Sequence, residues 1–293
     1  MKSGFVSIVG RPNAGKSTLL NAITGEKIAA ISDKPQTTRN TILGIITDRE
    51  SQVVFMDTPG IHKPKTKLGE FMIKQVDNSV KSVDMIVVVT DACDITDADE
   101  DIAKSMKECG VPVLLVINKI DVVEKEKLLE IIARFSATGG FDEIIPISAL
   151  KKDGVGIVLD EIKKRLEDGP MYYPDDYVTD QPEKNIAAEI IREKALWCLD
   201  KEVPHGIAVE IEKFKETENG RVNIGAVLYC EKKSHKGIII GKNGAMLKKI
   251  GTLARRDIER FLGTEVFLET WVKVKEDWRN SDFLLKNFGF DNQ

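Results

Sequence analysis

The chain has 293 residues, 42% hydrophobic and 31% charged, with a formal net charge of −4. That length predicts about two domains, and that balance predicts folded cores rather than disorder. It excludes a uniformly basic nucleic-acid-coating protein but leaves room for a local basic patch.

In chain order, the first half alternates short apolar runs with amphipathic stretches. Residues 5–9, 53–56, 85–89, 113–117 and 144–147 read as strands, nearly continuous in apolar residues as strands buried on both faces are. Between them, 16–24, 68–82, 98–109, 124–137 and 155–166 read as helices. The expectation is an α/β domain over 1–168 with a mostly parallel sheet and helices on both sides. Residues 169–182, with Pro170, Pro174 and Pro182, read as a linker. The second domain, 183–293, changes pattern to α+β. A helix is expected over 186–199, strands over 207–214 and 221–231 with a turn at Glu218-Asn219-Gly220, a short helix from 238 to 240 and a longer one over 245–262. A strand over 266–274 and a C-terminal helical segment complete it. Trp197, Trp271 and Trp278 read as packing residues.

Cys93, Cys109, Cys198 and Cys230 form no CxxC pair, and His62, His205 and His235 are scattered, so neither a zinc site nor a disulfide framework is expected. The first residues lack the pattern of a secretory signal, and the apolar runs 85–89 and 111–117 are too short for a spanning helix, which needs ~20 residues. A cytoplasmic chain with reduced thiols is expected, with peripheral contact at a membrane surface left open.

Gly10-Arg11-Pro12-Asn13-Ala14-Gly15-Lys16-Ser17 follows an expected strand and, with Thr18, opens an expected helix. It fits the phosphate-loop pattern G-x-x-x-x-G-K-[ST]. Main-chain amides must wrap a phosphate chain there, so Gly10 and Gly15 remove side chains at tight points. The helix N-terminus favours negative charge, Lys16 supplies a cation to the β- and γ-phosphates, and Ser17 offers a hydroxyl to Mg²⁺. Asp57-Thr58-Pro59-Gly60 ends another strand, where Asp57 can hold Mg²⁺ through water and Gly60 lets an amide approach the γ-phosphate. In Asn118-Lys119-Ile120-Asp121, the Asp121 carboxylate can accept both donors on the edge of guanine and so reject adenine. Asn118 can reach the ring from the other side and the Lys119 stem can cover its face. Ser148-Ala149-Leu150 can offer amides to the guanine carbonyl. In the second half, Ile238-Ile239-Ile240-Gly241-Lys242-Asn243-Gly244 joins two helical segments by a G-x-x-G loop, able to clamp about four nucleotides of a single strand. Lys248, Lys249, Arg255 and Arg256 follow. From 232 to 260 there are nine Lys/Arg against two Asp/Glu, a concentrated basic patch in an acidic chain.

The ordered set GRPNAGKST, PQTTR, DTPG, NKID and SAL resembles the translation-factor-like P-loop GTPases. The element order around GxxG resembles a type II KH domain. Together with Glu189-Ile190-Ile191-Arg192-Glu193-Lys194, Glu210-Ile211-Glu212 and Trp271-Val272-Lys273-Val274-Lys275, the whole chain resembles the Era family. That resemblance implies a slow GTPase, acting as a monomer, that binds the 3′ end of small-subunit ribosomal RNA and assists assembly of the small ribosomal subunit. It implies a threonine of Pro35-Gln36-Thr37-Thr38-Arg39 as Mg²⁺ ligand and γ-phosphate sensor, with Thr38 favoured over Thr37. Lys16, Thr38 and Gly60 are then the catalytic residues, and Ser17, Thr38 and Asp57 the metal ligands. Ile240, Gly241, Lys242, Asn243, Gly244, Lys248, Lys249 and Arg255 are the RNA contacts. Where Ras-like enzymes have glutamine after D-x-x-G, this chain has Ile61, which cannot orient water. Asn13 is the candidate for holding a K⁺ ion that supplies the missing charge, with Arg11 and Arg39 as other cations and His62 near the γ-phosphate. The competing reading is a GTPase whose second domain binds a protein or membrane-surface partner.

Overall fold

Strands that are apolar at every position have to feed two cores at once, and the first half of the chain is built that way. The computed structural model describes residues 1–61 and 64–290, so His62 lies outside the described residues. The chain divides into two units. One comprises Met1–Ala29, Thr38–Lys63 and Met72–Asp180; the other comprises Gln181–Gln293 together with Ala30–Thr37 and Pro64–Phe71.

In chain order the first half carries β1 (Lys2–Val9), α1 (Lys16–Thr24), β2 (Ile42–Thr47), β3 (Ser51–Asp57), α2 (Lys67–Lys81), β4 (Met85–Asp91), α3 (Asp97–Lys107), β5 (Val113–Asn118), α4 (Lys125–Thr138), β6 (Glu143–Pro146) and α5 (Val155–Arg165). The strands form one sheet in the order β2-β3-β1-β4-β5-β6. All pairs are parallel except β2 with β3. In β5, Leu114 and Val116 enter one core with Ile8 and Leu19, while Leu115 and Ile117 enter another with Val88 and Phe135. Side chains alternate along a strand, so helices must cover both faces, and the loops at the carboxyl ends of the parallel strands are left together at one edge.

The sequence pattern missed β2. Gly44 interrupts its apolar run, which reads as a strand breaker. In the fold that glycine admits α1 and its following loop: a Cβ there would stand 2.5 Å from Leu20 Cδ1 and 3.2 Å from Ile28 Cδ1.

Residues 169–182 have no helix or strand, and 172–178 are fastened to the sheet. The Ile45 amide donates to the Val178 carbonyl at 2.7 Å. The Gln52 side chain accepts from the Tyr172 and Tyr173 amides at 2.7 and 3.0 Å and donates to the Tyr173 carbonyl at 2.8 Å. The Tyr172 ring meets Phe5 edge-on at 4.8 Å.

The second half carries α6 (Glu183–Cys198), β7 (Ala208–Glu216), β8 (Val222–Cys230), α7 (Lys233–Ile240), α8 (Ala245–Leu262), β9 (Val266–Val274) and α9 (Asp282–Asn287). Its sheet runs β7-β8-β9, with β7 antiparallel and β9 parallel to β8. Ile250, Ala254 and Ile258 form one buried stripe of α8, packed with Ile190 and Ile191 of α6, Ala226 and Leu228 of β8, and Ile239 of α7. Trp278 is a core residue, its indole donating to the Gly206 carbonyl at 2.9 Å. The other two tryptophans differ from the expectation. Trp197 and Trp271 are half-exposed, because each lies on a helix or strand face that the core does not cover. Among the described residues, no helix is long and apolar enough to cross a membrane.

Candidate functional site

Two places in the fold gather the residues singled out by sequence. The first lies at the carboxyl ends of β1, β3, β4 and β5. Gly10 and Gly15 take φ of 151° and 98°, and Asn13 takes 65°. A Cβ on Gly10 would stand 2.3 Å from the Val89 carbonyl oxygen, and one on Gly15 would stand 2.1 Å from Asn118 Nδ2. The backbone bends where a side chain is excluded by both sterics and torsion. α1 begins at Gly15 with no side-chain cap, so its first amides face the loop without competition from a side-chain acceptor.

Lys16 is buried and folds back over this loop, its ammonium donating to the carbonyls of Gly10 at 3.2 Å and Arg11 at 3.0 Å. Burial pushes the ammonium down to about 8, against the opposing pull of Asp57. Burial likewise pushes the Asp57 carboxyl up to about 6, against Lys16, Ser17 and Thr38. Ser17 Oγ donates to Asp57 Oδ2 at 2.6 Å and lies 2.8 Å from Thr38 Oγ1, which in turn donates to Asp57 Oδ2 at 3.3 Å. Asp57 Oδ1 is buried without a hydrogen-bond partner. Three hard oxygens from three separate segments converge here, and the orphaned carboxylate oxygen fits a donor set for Mg²⁺. The hydroxyl of Thr37 instead donates to the Lys34 carbonyl at 2.6 Å, which places Thr38 in the cluster and Thr37 outside it.

Thr58 is buried, its hydroxyl donating to the Ile8 carbonyl at 2.8 Å. Pro59 is buried beside it. Gly60 approaches the loop so closely that a Cβ would stand 2.7 Å from Pro12 Cα. The Ile61 amide donates to the Gly10 carbonyl at 3.1 Å, and the Ile61 side chain packs against the apolar cluster that contains Val9 and Val88. Arg11 does not point along the loop as a free cation. Its guanidinium pairs with Asp99 at 2.8 Å and Asp94 at 3.1 Å, because Asp99 is buried at the start of α3 and needs a partner. Arg39 is buried as well.

The Asn118 side chain donates to the Ala14 carbonyl at 2.9 Å and accepts from the Ala149 amide at 3.0 Å, tying the phosphate loop to the Ser148-Ala149-Leu150 turn. Ser148 Oγ donates to Asp121 Oδ1 at 2.7 Å, fixing an otherwise exposed carboxylate. Lys119 pairs with Asp91 at 2.5 Å, which holds its stem in place. Leu150 is exposed at the rim of this turn, and Thr18 lies in the first turn of α1.

The second place is the loop between α7 and α8. Gly241, Asn243 and Gly244 all take positive φ, at 73°, 51° and 78°. Lys242, Asn243, Lys248, Lys249, Arg255 and Arg256 are exposed, and Ile240 is half-buried. A Cβ on Gly241 would meet Met246 Cβ at 2.7 Å, whereas one on Gly244 would meet nothing within 4 Å. The loop is thus an exposed main-chain ridge, flanked by the basic face of α8.

Residues 5–119 match the family described as 50S ribosome-binding GTPase, and residues 202–279 match the KH domain family. The chain is 58% identical over 290 residues to GTPase Era of Ruminiclostridium cellulolyticum, covering 99% of this chain and 97% of that protein. It is 54% identical over 295 residues to GTPase Era of Clostridioides difficile, covering 100% and 99%. The chain belongs to the Era GTPase family. Two solved Era structures agree with its fold over the full length of both chains. One, in complex with magnesium-GDPNP and nucleotides 1506–1542 of 16S ribosomal RNA, has a TM-score of 0.95 at 40% identity. The other, a variant of Aquifex aeolicus Era bound to GDP and aluminium fluoride, has a TM-score of 0.94 at 39% identity. As an Era-family GTPase the chain hydrolyses GTP, in a P-loop α/β domain joined to a KH domain.

In this Era-family chain the tight fit at Gly15 makes a direct test. Gly15→Ala is expected to weaken GDP affinity at least ~100-fold, about 2.8 kcal/mol, in a fluorescent-nucleotide titration. Gly110→Ala, which also has positive φ but open space around it, should leave the affinity unchanged.

Proposed function

We propose that this chain is a GTP-controlled switch that binds the 3′ end of small-subunit ribosomal RNA and assists assembly of that subunit. One observation carries the reading. A relative that matches along its whole length holds magnesium-GDPNP and nucleotides 1506–1542 of 16S ribosomal RNA together, and this chain has both a phosphate loop with converging oxygens and an exposed GxxG ridge with a basic helix. Residues 1–168 form the GTPase domain in this reading, 169–182 the linker and 183–293 the RNA-binding domain.

The amides of 10–18 wrap the phosphates, and a bound polyphosphate restores the charge that burial takes from Lys16. Ser17, Thr38 and Asp57 hold Mg²⁺, which neutralises charge on the phosphates. The Gly60 amide meets the γ-phosphate, and Lys16, Thr38 and Gly60 together act on the transition state. Asp121, steadied by Ser148, selects guanine. Asp121→Asn is expected to move preference from guanosine to xanthosine nucleotides in competition titrations; unaltered selectivity would remove the carboxylate from that role.

Because Ile61 is committed to apolar packing, no side chain directly after Gly60 orients the attacking water, and unaided turnover is slow. We assign the missing positive charge to a K⁺ ion at Asn13, an exposed residue held at positive φ at the crest of the loop. Phosphate release should rise at least ~10-fold when K⁺ replaces Na⁺, corresponding to about 1.4 kcal/mol of barrier. Asn13→Ala should abolish the difference, and equal rates in both salts would reject the ion.

RNA is clamped by the GxxG ridge, with Lys242, Lys248, Lys249 and Arg255 meeting phosphates. Gly244→Asp adds a negative charge in open space, at a torsion that aspartate tolerates, so it tests the ridge without disturbing packing. It should abolish RNA binding in a filter assay and leave GDP affinity intact. Retained RNA binding would favour a protein or membrane-surface partner for the second domain. The reading places the chain in the cytoplasm as a monomer, with peripheral membrane contact confined to what liposome pelleting detects.

A further inference from the structure

α6 carries three consecutive charged residues, Arg192, Glu193 and Lys194, each no more than 2% exposed. Charged side chains are almost never buried to that degree unless they are paired, and an ionic group removed from water needs several good partners. The partners of these three come from two directions.

One set is the main chain of 31–37. The Arg192 guanidinium donates to the Thr37 carbonyl and is itself steadied by Glu189, with its Nε at 2.9 Å from Glu189 Oε1. Glu193 Oε2 accepts from the Ile31 amide at 2.8 Å. The indole of Trp197 donates to the Ile31 carbonyl at 2.8 Å. Three positions of α6, Arg192, Glu193 and Trp197, are therefore hydrogen-bonded to the two ends of this loop, Ile31 and Thr37. The next residue is Thr38, whose hydroxyl lies in the oxygen cluster with Ser17 and Asp57.

The other set leads to α8. Lys194 Nζ lies 2.7 Å from Glu193 Oε1 and 2.5 Å from Asp257 Oδ2, and sits 3.6 Å over the centre of the Trp197 ring. Asp257 follows the exposed Arg255 and Arg256 in α8 but is itself mostly buried, and it also pairs with Arg260 at 3.2 Å. A single ammonium thus bridges the carboxylate that holds the loop and the carboxylate on the helix behind the GxxG ridge. If the loop shifts at Ile31, Glu193 loses its amide and the charge balance around Lys194 changes, which is felt at Asp257. The reverse holds with equal force, since such coupling is reciprocal.

We propose that Arg192, Glu193 and Lys194 are positioning residues that couple the loop leading into Thr38 to the RNA-bearing helix α8. The proposal rests on the reading of this chain as a nucleotide-controlled RNA-binding switch. It adds the identity of the connecting residues and their sense of action: Arg192 and Glu193 set the loop, and Lys194 links that setting to α8.

The experiment measures the affinity of the full chain for an RNA of 16S nucleotides 1506–1542, with GDP and with GDPNP. The ratio of the two dissociation constants is the coupling, expected between about 5 and 150 in the unaltered chain. Glu193→Gln keeps the shape and an acceptor for Ile31 but removes the pairing with Lys194. Lys194→Met keeps the stem and removes the bridge. Both should bring the ratio within about twofold of one, with GDP affinity changed less than about threefold. Trp197→Phe is the safeguard against unfolding, because the residue is half-exposed; it removes the indole N–H that holds Ile31 and narrows the ring under Lys194, and it should lower the ratio severalfold in a chain with an unchanged melting curve. An unaltered ratio in folded Trp197→Phe and in either folded charge variant overturns the proposal while leaving the switch reading standing. A ratio of one in the unaltered chain overturns both.

Discussion

An ammonium and a carboxylate removed from water at the ends of β1 and β3 impose most of the geometry around them. Lys16 and Asp57 are each buried, and each is shifted towards its neutral form. Such groups persist only where other polar atoms replace their hydration. For Lys16 the replacement is the pair of carbonyls at Gly10 and Arg11, which reach it because Gly10 and Gly15 turn the chain through torsions that other residues resist. For Asp57 it is the hydroxyls of Ser17 and Thr38. The start of α1, the end of β3 and the placement of Thr38 thus answer one electrostatic demand, and the same demand makes the pocket receptive to a polyphosphate and a divalent ion.

How much of this was legible in the sequence varies with the physics involved. The parallel strands could be read because both faces are buried and their runs are uninterrupted, and helix 245–262 because its stripe at Ile250, Ala254 and Ile258 has a helical period. Thr38 over Thr37 could be favoured only through resemblance, since adjacent threonines differ by nothing but direction, and direction is set by Lys34 on one side and Asp57 on the other. The strand containing Gly44 was illegible because the signal for a close approach by α1 is the same as the signal for a break. Arg11 looked like a spare cation because its partners, Asp94 and Asp99, lie more than eighty positions away.

The run Arg192-Glu193-Lys194 illustrates the same limit from the opposite side. On sequence alone this run contributes only to the family resemblance, and nothing in it marks the three charges as buried. In the fold all three are buried, because residues 30–37, in the same unit as α6, partner Arg192 and Glu193, while Asp257 of α8 partners Lys194. A pattern of residue types cannot announce that a distant segment will supply the backbone partners. Here those partners explain how ions are tolerated in the interior, and why the tolerance is conditional on where the segment lies.

The strap formed by 172–178 has a bearing on how the chain survives its own synthesis. β2 is the antiparallel outermost strand of the larger sheet, and an outermost strand with bare amides is a template for pairing with other molecules. Val178 takes the Ile45 amide, and the tyrosine backbone takes the Gln52 side chain. The residues that do this are made more than a hundred positions after the strand they shield. A nascent chain halted before them leaves the Ile45 amide of that strand without the Val178 carbonyl, so truncations that end ahead of the strap are the ones expected to aggregate.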